Sequence, residues 1–398
     1  MGRIGSIRDR VAIVGMGCTK FGENWEWSGE DMIVDAAHEA YQDAGITQKD
    51  VGMAWYGCTQ SARGGPKLAH ALKLDYMPVT RVENHCTTGT DALRNASYAV
   101  AAGMIDFGLV VGFEKLKDLG LSGLPIWPEI SDSQVRPFLP PPFQFALSAT
   151  RYFHRYGLSY EEGRRMLAKV AVKNHKHGVH SPKAHLRREI TEEQVLKAPM
   201  IAYPFGLFDC CGVSDGAAAA IVTTPEIAKT LKDDYVLIKG IGIACGAFQG
   251  QLHDKYDFVH FEENVRACKL AYEEAGITDP RKQLDLAEMH DCFTITELIS
   301  AEDLKFSERG KAGEDYAAGV FTAPDGELPL NTDGGLKSFG HPIGASGLRM
   351  IYEVYKQIQG KAQLPIRQLK KADMGLTHNL GGFPGRFTSA VCIIGRHD

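Results

Sequence analysis

The two halves of this 398-residue chain repeat one order of segments. The helix-like stretch MIVDAAHEAYQDAGIT at 32–47 returns as NVRACKLAYEEAGIT at 264–278. A β-branched run that ends in glycines precedes each copy, at 11–17 and at 236–242, and a short strand-like run follows each copy. The repetition predicts two similar lobes, in which each of these helices is closed by a glycine.

Two later pairs of segments extend the match. HCTTGTDALRNASYAVAAG and PIGASGLRMIYEVYKQIQG align when Leu93 is laid on Leu348, and DFGLVVG at 106–112 pairs with DMGLTHN at 373–379. Four matching segments in one order indicate a duplication. Strands that alternate with helices at this spacing predict an α/β fold, with a mixed or parallel sheet in each half.

The repeat also predicts the domain limits. Residues 1–112 and 206–230 would form the N-terminal lobe, and residues 231–398 the C-terminal lobe. Residues 113–205 break the pattern with a proline run and a basic, helical-looking stretch at 151–188, so we interpret them as a loop domain inserted into the first lobe. The Lys and Arg of that stretch are available to an anionic ligand, although a solvated helical face explains any single one of them equally well.

Charge and cysteine spacing exclude several classes of protein. The net charge of -5 shows no basic excess, which argues against a nucleic-acid surface or an anionic-membrane anchor. No apolar run approaches the roughly 18 residues that a spanning helix needs. The only close pair among nine cysteines, Cys210 and Cys211, is adjacent and not spaced as C-x-x-C. We therefore expect reduced thiols in the cytoplasm and no metal site in this chain.

The alignment of the halves singles out Cys86. It falls on His341, so one lobe carries a Cys and the other a His at the same strand-to-helix turn. If the lobes pack about a pseudo-twofold axis, both side chains face a common centre from helix N-termini. Exposed N–H groups and an adjacent imidazole favour a thiolate there. We predict that Cys86 is a nucleophile and not a buried structural thiol.

Three further loops carry reactive groups. FGHPIGASG at 339–347 has small residues where the backbone must approach a ligand or another helix. Cys292 stands in HDCFTITEL, after a strand-like run and at the start of a helix. In LTHNLGGFPGR at 376–386, glycines could offer N–H groups to an oxyanion, with His378 and Asn379 beside them. Taken singly, each histidine would more often be a structural residue, but four such loops on one duplicated scaffold favour catalysis.

These segments resemble the thiolase superfamily over most of the chain. The nucleophile loop at Cys86, SDGAAAA at 214–220, LNTDGG at 330–335, GHPIGASG and the C-terminal glycine loop are similar to thiolase motifs in their usual order. The resemblance implies a duplicated, five-layered α-β-α-β-α core with an inserted loop domain. HDCF and THNLGG are similar to the sterol-carrier-protein type thiolases and their archaeal and bacterial relatives.

The resemblance also implies a mechanism. Cys86 would attack the 3-keto carbonyl of a 3-oxoacyl-CoA, and backbone N–H groups near Gly381 and Gly382 would hold the alkoxide. Coenzyme A is then the co-substrate, and no tightly bound cofactor is needed. The same site run backward performs a Claisen condensation.

The acid and base roles follow the subgroup. Asn379 occupies the place where common thiolases carry their acid/base cysteine, so that role would pass to Cys292. His341 would face the leaving enolate together with a water that His290 holds. Ser346 would lie near the pantetheine arm.

Substrate and partners are less constrained. Lys337 and Arg386 could place a cation near the acyl pocket and favour a second carboxylate, although a surface salt bridge explains either residue more simply. The chain is similar to bacterial subunits that work beside a small zinc-ribbon and OB-fold protein, among them benzoylsuccinyl-CoA thiolase. Family analogy implies a homodimer core.

Other functions remain open from sequence. The same acyl-enzyme would suit an acetoacetyl-CoA thiolase or acyl transfer to an acceptor other than CoA. Some thiolase-like chains are steroid side-chain aldolases that use no nucleophilic cysteine. A scaffold that has lost its chemistry is the third class. The presence of Cys86, His341 and Cys292 together favours the thiolase over the last two.

Overall fold

The computed structural model describes residues 5–120, 140–252, 256–362 and 367–397. Residues 121–139, part of the predicted loop domain, lie outside the described residues. Within the described ranges, no helix is long and apolar enough to cross a membrane.

The N-terminal half contains an alternating series of strands and helices, followed by a helical insertion. The series is β1 Ala12–Cys18, α1 Gly29–Ala44, β2 Met53–Gly57, α2 Pro66–Leu72, β3 Val79–Val82, α3 Thr88–Ala101 and β4 Gly108–Glu114. The insertion and the return to the sheet comprise α4 Pro141–Arg155, α5 Tyr160–Gly178, α6 Glu192–Lys197, β5 Met200–Ala202, β6 Phe205–Gly206, β7 Gly216–Thr223 and α7 Pro225–Leu231. Short 3₁₀ turns at Lys117–Leu119 and Leu207–Asp209 flank the insertion.

The C-terminal half repeats the series with different insertions. Its elements are β8 Val236–Cys245, α8 Gln249–Leu252, α9 Glu262–Ala275, α10 Pro280–Gln283, β9 Leu286–Glu288, α11 Thr294–Asp303, α12 Ala312–Ala317, α13 Gly335–Phe339, α14 Ile343–Ile358, β10 Met374–Phe383 and β11 Arg386–Arg396.

The first helix of each half ends as the sequence predicts. Ser28 caps α1 in a capping box with Asp31, which satisfies free N–H groups at the helix start. Helix α1 ends at Gly45, whose φ of 71° is left-handed, and α9 ends at Gly276 with φ 74°. Only glycine adopts this conformation without strain, so both repeats end their helices at the same kind of residue.

The strand order makes the duplication visible. The nine strands run β3-β2-β4-β7-β1-β8-β11-β10-β9, with β1 and β8 paired antiparallel at the centre. Moving outward, β7 and β11 are antiparallel to their inner neighbours, and β4 and β10 are antiparallel to those. Strands β2 and β9 are then parallel to β4 and β10. The predicted half-sheets therefore exist and are joined edge to edge by β1 and β8.

Helices cover these half-sheets and separate them. Helix α1 packs on β1 and β7, while α9 packs on β8 and β11. Helices α3 and α14, which begin just after Cys86 and His341, pack against each other and against β4. This is the predicted α-β-α-β-α layering, and it brings the starts of the two middle helices together.

Glycines permit the close approach of the two halves. A Cβ on Gly344 would lie 2.5 Å from the Gly57 carbonyl oxygen, and one on Gly112 would lie 2.1 Å from the Gly344 carbonyl oxygen. The expectation that GHPIGASG allows close backbone approach is confirmed, with strands β2 and β4 and helix α3 of the other half as the neighbours.

Candidate active site

One cavity of about 270 Å³ opens between the two halves. Its reactive wall contains Cys86, His290, Cys292 and His341. The rest is formed by Thr59, Gln60, Arg81, Glu83, His85, Pro141, Phe145, Phe293, Ile343, Leu380, Gly382 and Phe383. The four residues to which the sequence assigns the chemistry are thus brought together at one cavity.

Cys86 stands on a tight turn between β3 and α3. His85 has a left-handed φ of 50°, and the Asn84 carbonyl oxygen accepts the Thr87 N–H at 3.2 Å. The Thr88 hydroxyl accepts the Asn84 N–H at 2.9 Å. These bonds hold the thiol at the start of the helix. The Cys86 sulfur and one nitrogen each of His290 and His341 lie within 4.8 Å of one another.

The bonds of His341 define which of its nitrogens carries the proton. Its Nδ1 lies 2.7 Å from the Ser346 hydroxyl, which donates its own hydrogen to the Pro342 carbonyl at 3.0 Å. Nδ1 must then carry the proton, so Nε2 has a free lone pair and no partner among the described groups. Burial and the charge of Arg349 lower the pKa of His341 to about 3, which keeps the ring neutral. The Ser346 hydroxyl therefore fixes the ring of His341, whereas the family resemblance implied a place near pantetheine.

Removal of the Ser346 hydroxyl is expected to release that ring. Ser346→Ala should lower kcat about tenfold to hundredfold with little change in KM, because the imidazole loses the bond that fixes its tautomer. Ser97→Ala is the matched control, since Ser97 also donates to a carbonyl one helical turn earlier but contacts no histidine. Steady-state thiolysis kinetics measure the difference. Equal losses in both variants would assign Ser346 a purely structural role.

His290 and Cys292 complete the reactive wall. The rings of His290 and His341 meet edge to face, with centroids 5.1 Å apart. Both His290 nitrogens are buried without a partner among the described residues, and burial and His341 lower its pKa. The Cys292 sulfur lies 3.6 Å from the Thr296 hydroxyl. The site thus holds two neutral imidazoles and two thiols.

The thiol of Cys86 is less acidic than its helix position led us to expect. Burial raises the pKa of Cys86, and the N–H groups of Cys86 and Gly382 oppose that shift only in part. Desolvation outweighs the helix terminus because the charged form loses more hydration than two N–H groups restore. The resting group is therefore a thiol, and attack requires a base to accept its proton.

The glycine loop lies against the turn that carries Cys86. A Cβ on Gly381 would come within 2.7 Å of the Cys86 nitrogen, so only glycine allows β10 to approach the turn this closely. Gly382 has φ 92° and lines the cavity. This is the arrangement that an oxyanion hole near Gly381 and Gly382 requires.

His378 and Asn379 do not line this cavity. His378 Nε2 lies 2.8 Å from Asn264 Oδ1 on α9, and Asn379 Oδ1 accepts the Thr90 hydroxyl at 2.7 Å. Both side chains are fully buried, and neither lines the cavity. They brace β10 between α9 and α3, so the prediction that they line the site is not met by the geometry.

The two predicted cations, Lys337 and Arg386, also do not line the cavity. Lys337 is buried, and its ammonium donates to the Asp209 carbonyl. The Arg386 guanidinium stacks over Phe383 and Phe248, outside the cavity lining. Instead, Arg81 on the edge strand β3 is the Arg or Lys that lines the cavity among the described residues. The sequence carries no sign of it, because a charge on a short edge strand ordinarily faces solvent.

The basic stretch at 151–188 is partly unavailable to a ligand. Arg164 and Lys173 are buried in ion pairs with Asp209 and Glu297. Lys173 ties α5 to the C-terminal half, so part of the predicted anion surface has a structural role.

Two buried carboxylates that the sequence did not single out hold the loops in place. Glu114 accepts the N–H groups of Gln60 and Ser61, which fixes the loop that carries Thr59 and Gln60. Asp291 accepts the N–H groups of Leu336 and Lys337 at 2.6 and 3.0 Å. Because α13 leads directly to His341, Asp291 links the two histidine loops. The sequence does not show which backbone N–H groups an acidic residue such as Glu114 or Asp291 will accept, because these groups come from distant loops.

Buried neutral histidines make stability depend on pH. Burial lowers the pKa of His177, His341 and His378 to about 3, below the ordinary value of 6.5. The unfolded chain then binds more protons below pH 6.5, so their stabilising contribution is complete above that pH and is lost as the pH falls toward 3. Each group costs about 1.4 kcal/mol per pH unit in that window. Urea unfolding at pH 7 and pH 5 should show the loss, and His177→Gln should reduce the dependence of stability on pH by the contribution of one group.

Comparisons with known proteins agree with this fold. The thiolase N-terminal domain family matches residues 11–226, and the thiolase C-terminal domain-like family matches residues 246–396. Fold and matches together define an enzyme that transfers acyl groups of coenzyme A thioesters. The chain belongs to the thiolase family.

Relatives identify the subgroup. The acetyl-CoA acetyltransferase of Methanothermobacter thermautotrophicus is 37% identical over 395 residues, covering 97% of this chain and 99% of that protein. Sterol carrier protein 2 of Bos taurus is 31% identical, covering 94% of this chain and 70% of the relative. These confirm the predicted likeness to archaeal and sterol-carrier-protein type thiolases.

Solved structures share the fold. The Ltp2-ChsH2(DUF35) aldolase superposes with a TM-score of 0.84 at 25% identity, covering 98% of this chain and 99% of that chain. Human mitochondrial 3-ketoacyl-CoA thiolase superposes with a TM-score of 0.71 at 16% identity, covering 99% of this chain and 100% of that one.

Proposed function

We propose that this enzyme cleaves, or forms by Claisen condensation, the carbon-carbon bond of a 3-oxoacyl-CoA through an acyl-Cys86 intermediate. The observation that carries the proposal is the convergence of the Cys86 sulfur with two neutral imidazoles within 4.8 Å, whose cavity-facing nitrogens have no partner among the described groups. A nucleophile needs an adjacent base, and this one has two.

The first half of the reaction uses the base at His341. Nε2 of His341 takes the Cys86 proton as the sulfur attacks the 3-keto carbon. The N–H groups of Cys86 and Gly382 hold the developing alkoxide. Collapse of the adduct breaks the carbon-carbon bond and leaves an acyl-thioester on Cys86 and an enolate of the shortened acyl-CoA. Cys292 donates a proton to the enolate carbon while His290 orders a water beside it.

The second half transfers the acyl group. The Cys292 thiolate takes the proton of an incoming CoA thiol, whose sulfur attacks the acyl-thioester and restores the Cys86 thiolate. The proton held at the site then returns to Cys86. With another acceptor than CoA, the same acyl-enzyme would serve a different transfer.

Intact-protein mass spectrometry tests the intermediate directly. After brief exposure to acetoacetyl-CoA without free CoA, wild-type protein should gain the mass of one acetyl group, and Cys86→Ala should gain none. Peptide mapping should locate the acetyl group on Cys86. An enzyme that turns over substrate with no adduct would favour the aldolase class, to which the similarity with the Ltp2-ChsH2(DUF35) aldolase also points.

The substrate that we propose carries an aromatic or dicarboxylic acyl group, of which benzoylsuccinyl-CoA is one example. The rings of Phe145, Phe293 and Phe383 line the cavity, and Phe145 lies 4.7 Å from Phe293 between ring centroids. Arg81 donates to the Cys58 carbonyl at 2.7 Å, but its buried Nε has no partner among the described residues. Apolar walls with one guanidinium that has a donor to spare suit an acyl chain that ends in a carboxylate.

A pair of matched substrates tests this preference. 3-Oxoadipyl-CoA and 3-oxohexanoyl-CoA share a chain length and differ in the terminal carboxylate. Arg81→Met should lower kcat/KM for the first about 10- to 100-fold, since one charge-assisted bond contributes roughly 1.5–3 kcal/mol, and should leave the second nearly unchanged. Arg386→Met is the control. Equal effects on both substrates would contradict a carboxylate contact by Arg81.

We further propose a homodimer core and a small zinc-ribbon and OB-fold partner. Strand β3 is four residues long and lies at the edge of the sheet, where a second copy could pair with it. The similar Ltp2-ChsH2(DUF35) aldolase is named for a DUF35 component, which supports a partner for this chain. Light scattering of the chain alone and after co-expression with that class of partner measures both states.

A further inference from the structure

We infer that the catalytic cavity is also an inhibitory binding site for a soft divalent metal ion, with Zn²⁺ held by Cys86, His290 and His341 in competition with acyl-CoA. Cysteine spacing led us to expect no metal site. Spacing detects ligands that are close in sequence, whereas these three ligands come from loops that only the fold brings together.

The donor set is one that zinc prefers. Zinc in proteins is bound tetrahedrally by thiolate sulfur and imidazole nitrogen, and sites with three protein ligands keep a fourth position open. Here one sulfur and two nitrogens lie within 4.8 Å of one another, at the wall of a cavity that could supply the fourth ligand. No described carboxylate belongs to this cluster, so harder ions such as Mg²⁺ fit it poorly.

The two imidazoles have nitrogen atoms that are free to bind a metal ion. Both His290 nitrogens and His341 Nε2 are buried with no hydrogen-bond partner in the described structure. The Ser346 hydroxyl holds Nδ1 of His341, so the lone pair of Nε2 faces the cluster, as outer hydrogen bonds do at metal-bound histidines. Only the Cys86 thiol must release a proton, which passes to solvent as the sulfur-metal bond forms.

The fit requires a small movement. Zn–N bonds of about 2.0 Å and Zn–S bonds of about 2.3 Å place tetrahedral ligand atoms roughly 3.3–3.6 Å apart. The longest separation in the cluster must therefore shorten by about 1.2–1.5 Å. Rotation of the His290 ring contributes to this, because that ring has no hydrogen bond to lose among the described groups. The metal would occupy the sulfur and the base lone pair that thiolysis needs, so zinc and substrate exclude each other.

Cobalt substitution tests the site without relying on activity. Metal-free protein titrated with Co²⁺ should develop a near-ultraviolet thiolate-to-cobalt band that saturates at one ion per chain and disappears on adding Zn²⁺. The band should be absent in Cys86→Ser and weakened in His290→Asn. Cys245→Ser, which alters an exposed thiol outside the cavity lining, should behave as wild type.

Inhibition by zinc is the second test of the site. Unlike the cobalt titration, this test rests on the proposed thiolase reaction. Zinc should raise the KM for acetoacetyl-CoA at least tenfold at saturation with kcat unchanged, and a chelator should restore the original value. The metal site would be overturned if the cobalt band persisted in Cys86→Ser. It would also be overturned if wild-type protein bound Co²⁺ without developing the thiolate-to-cobalt band. If wild-type protein forms no acyl adduct while the band appears normally, the proposed reaction fails and the metal site stands.

Discussion

Replacement of Cys86 by alanine is expected to lower the thiolysis of acetoacetyl-CoA by roughly 10⁴-fold or more, because Cys86 is the thiol whose turn lies against the glycine loop at Gly381. His341 and His290 would remain as bases without a nucleophile. The cavity keeps its walls, so substrate binding should be retained. A coupled assay of acetyl-CoA release measures the rate, and calorimetry measures binding.

The control for this variant is Cys245→Ala, which removes an exposed thiol that does not line the cavity. It should retain nearly full activity. Unfolding transitions of both variants at the wild-type midpoint would show that the fold is intact. If Cys86→Ala kept a tenth or more of the rate, covalent catalysis would be wrong, and carbon-carbon cleavage without an acyl-enzyme would replace it.

The fold could be predicted from the sequence because a duplication preserves patterns that one copy alone leaves ambiguous. The glycines that end α1 and α9 lie at equivalent places, and the alignment of α3 on α14 sets Cys86 beside His341. The layering followed from the family resemblance and the alternation of elements. The joining of the half-sheets by β1 and β8 had no sequence signal, since pairing between edge strands depends on how the lobes pack.

The direction of individual side chains was harder to predict. Along β10, neighbouring residues alternate between faces, so Asn379 lies on the face opposite to Leu380 and Gly382, which line the cavity. His378 shares the face of Leu380 and Gly382 but lies earlier on the strand, where its ring bonds to Asn264 on α9. The position of Gly381 and Gly382 in the sequence does not show which of the neighbouring side chains reach the cavity. Arg81 was overlooked for a different reason, because a charge on a short edge strand ordinarily faces solvent.

The acidity of Cys86 shows a second limit of prediction from the sequence. A helix N-terminus favours a thiolate, and sequence can locate that terminus. Burial opposes it by raising the pKa, and burial depends on residues from every loop around the cavity. The structure therefore changes the proposed chemistry from a resident thiolate to a thiol whose proton His341, kept neutral by its lowered pKa, must accept.

Replacement of Gly344 by alanine should be among the most damaging changes outside the reactive groups. Gly344 lies in the first turn of α14, where an added Cβ would stand 2.5 Å from the Gly57 carbonyl oxygen and 2.9 Å from that of Phe113. Both obstacles are backbone atoms of strands in the other half, so neither can turn aside. We expect a loss of about 3 kcal/mol or more in the free energy of unfolding.

The same substitution should also impair catalysis, which distinguishes it from a general loss of stability. Relief of the clash must push the start of α14 away from β4, and His341 lies just before that start. Urea unfolding and kcat measured well below the unfolding midpoint separate the two effects. Gly22→Ala, whose added Cβ would meet only side-chain atoms at 3.7 Å or more, is the control. Wild-type stability in Gly344→Ala would mean that the two halves tolerate separation at this contact, and full activity would mean that His341 does not depend on it.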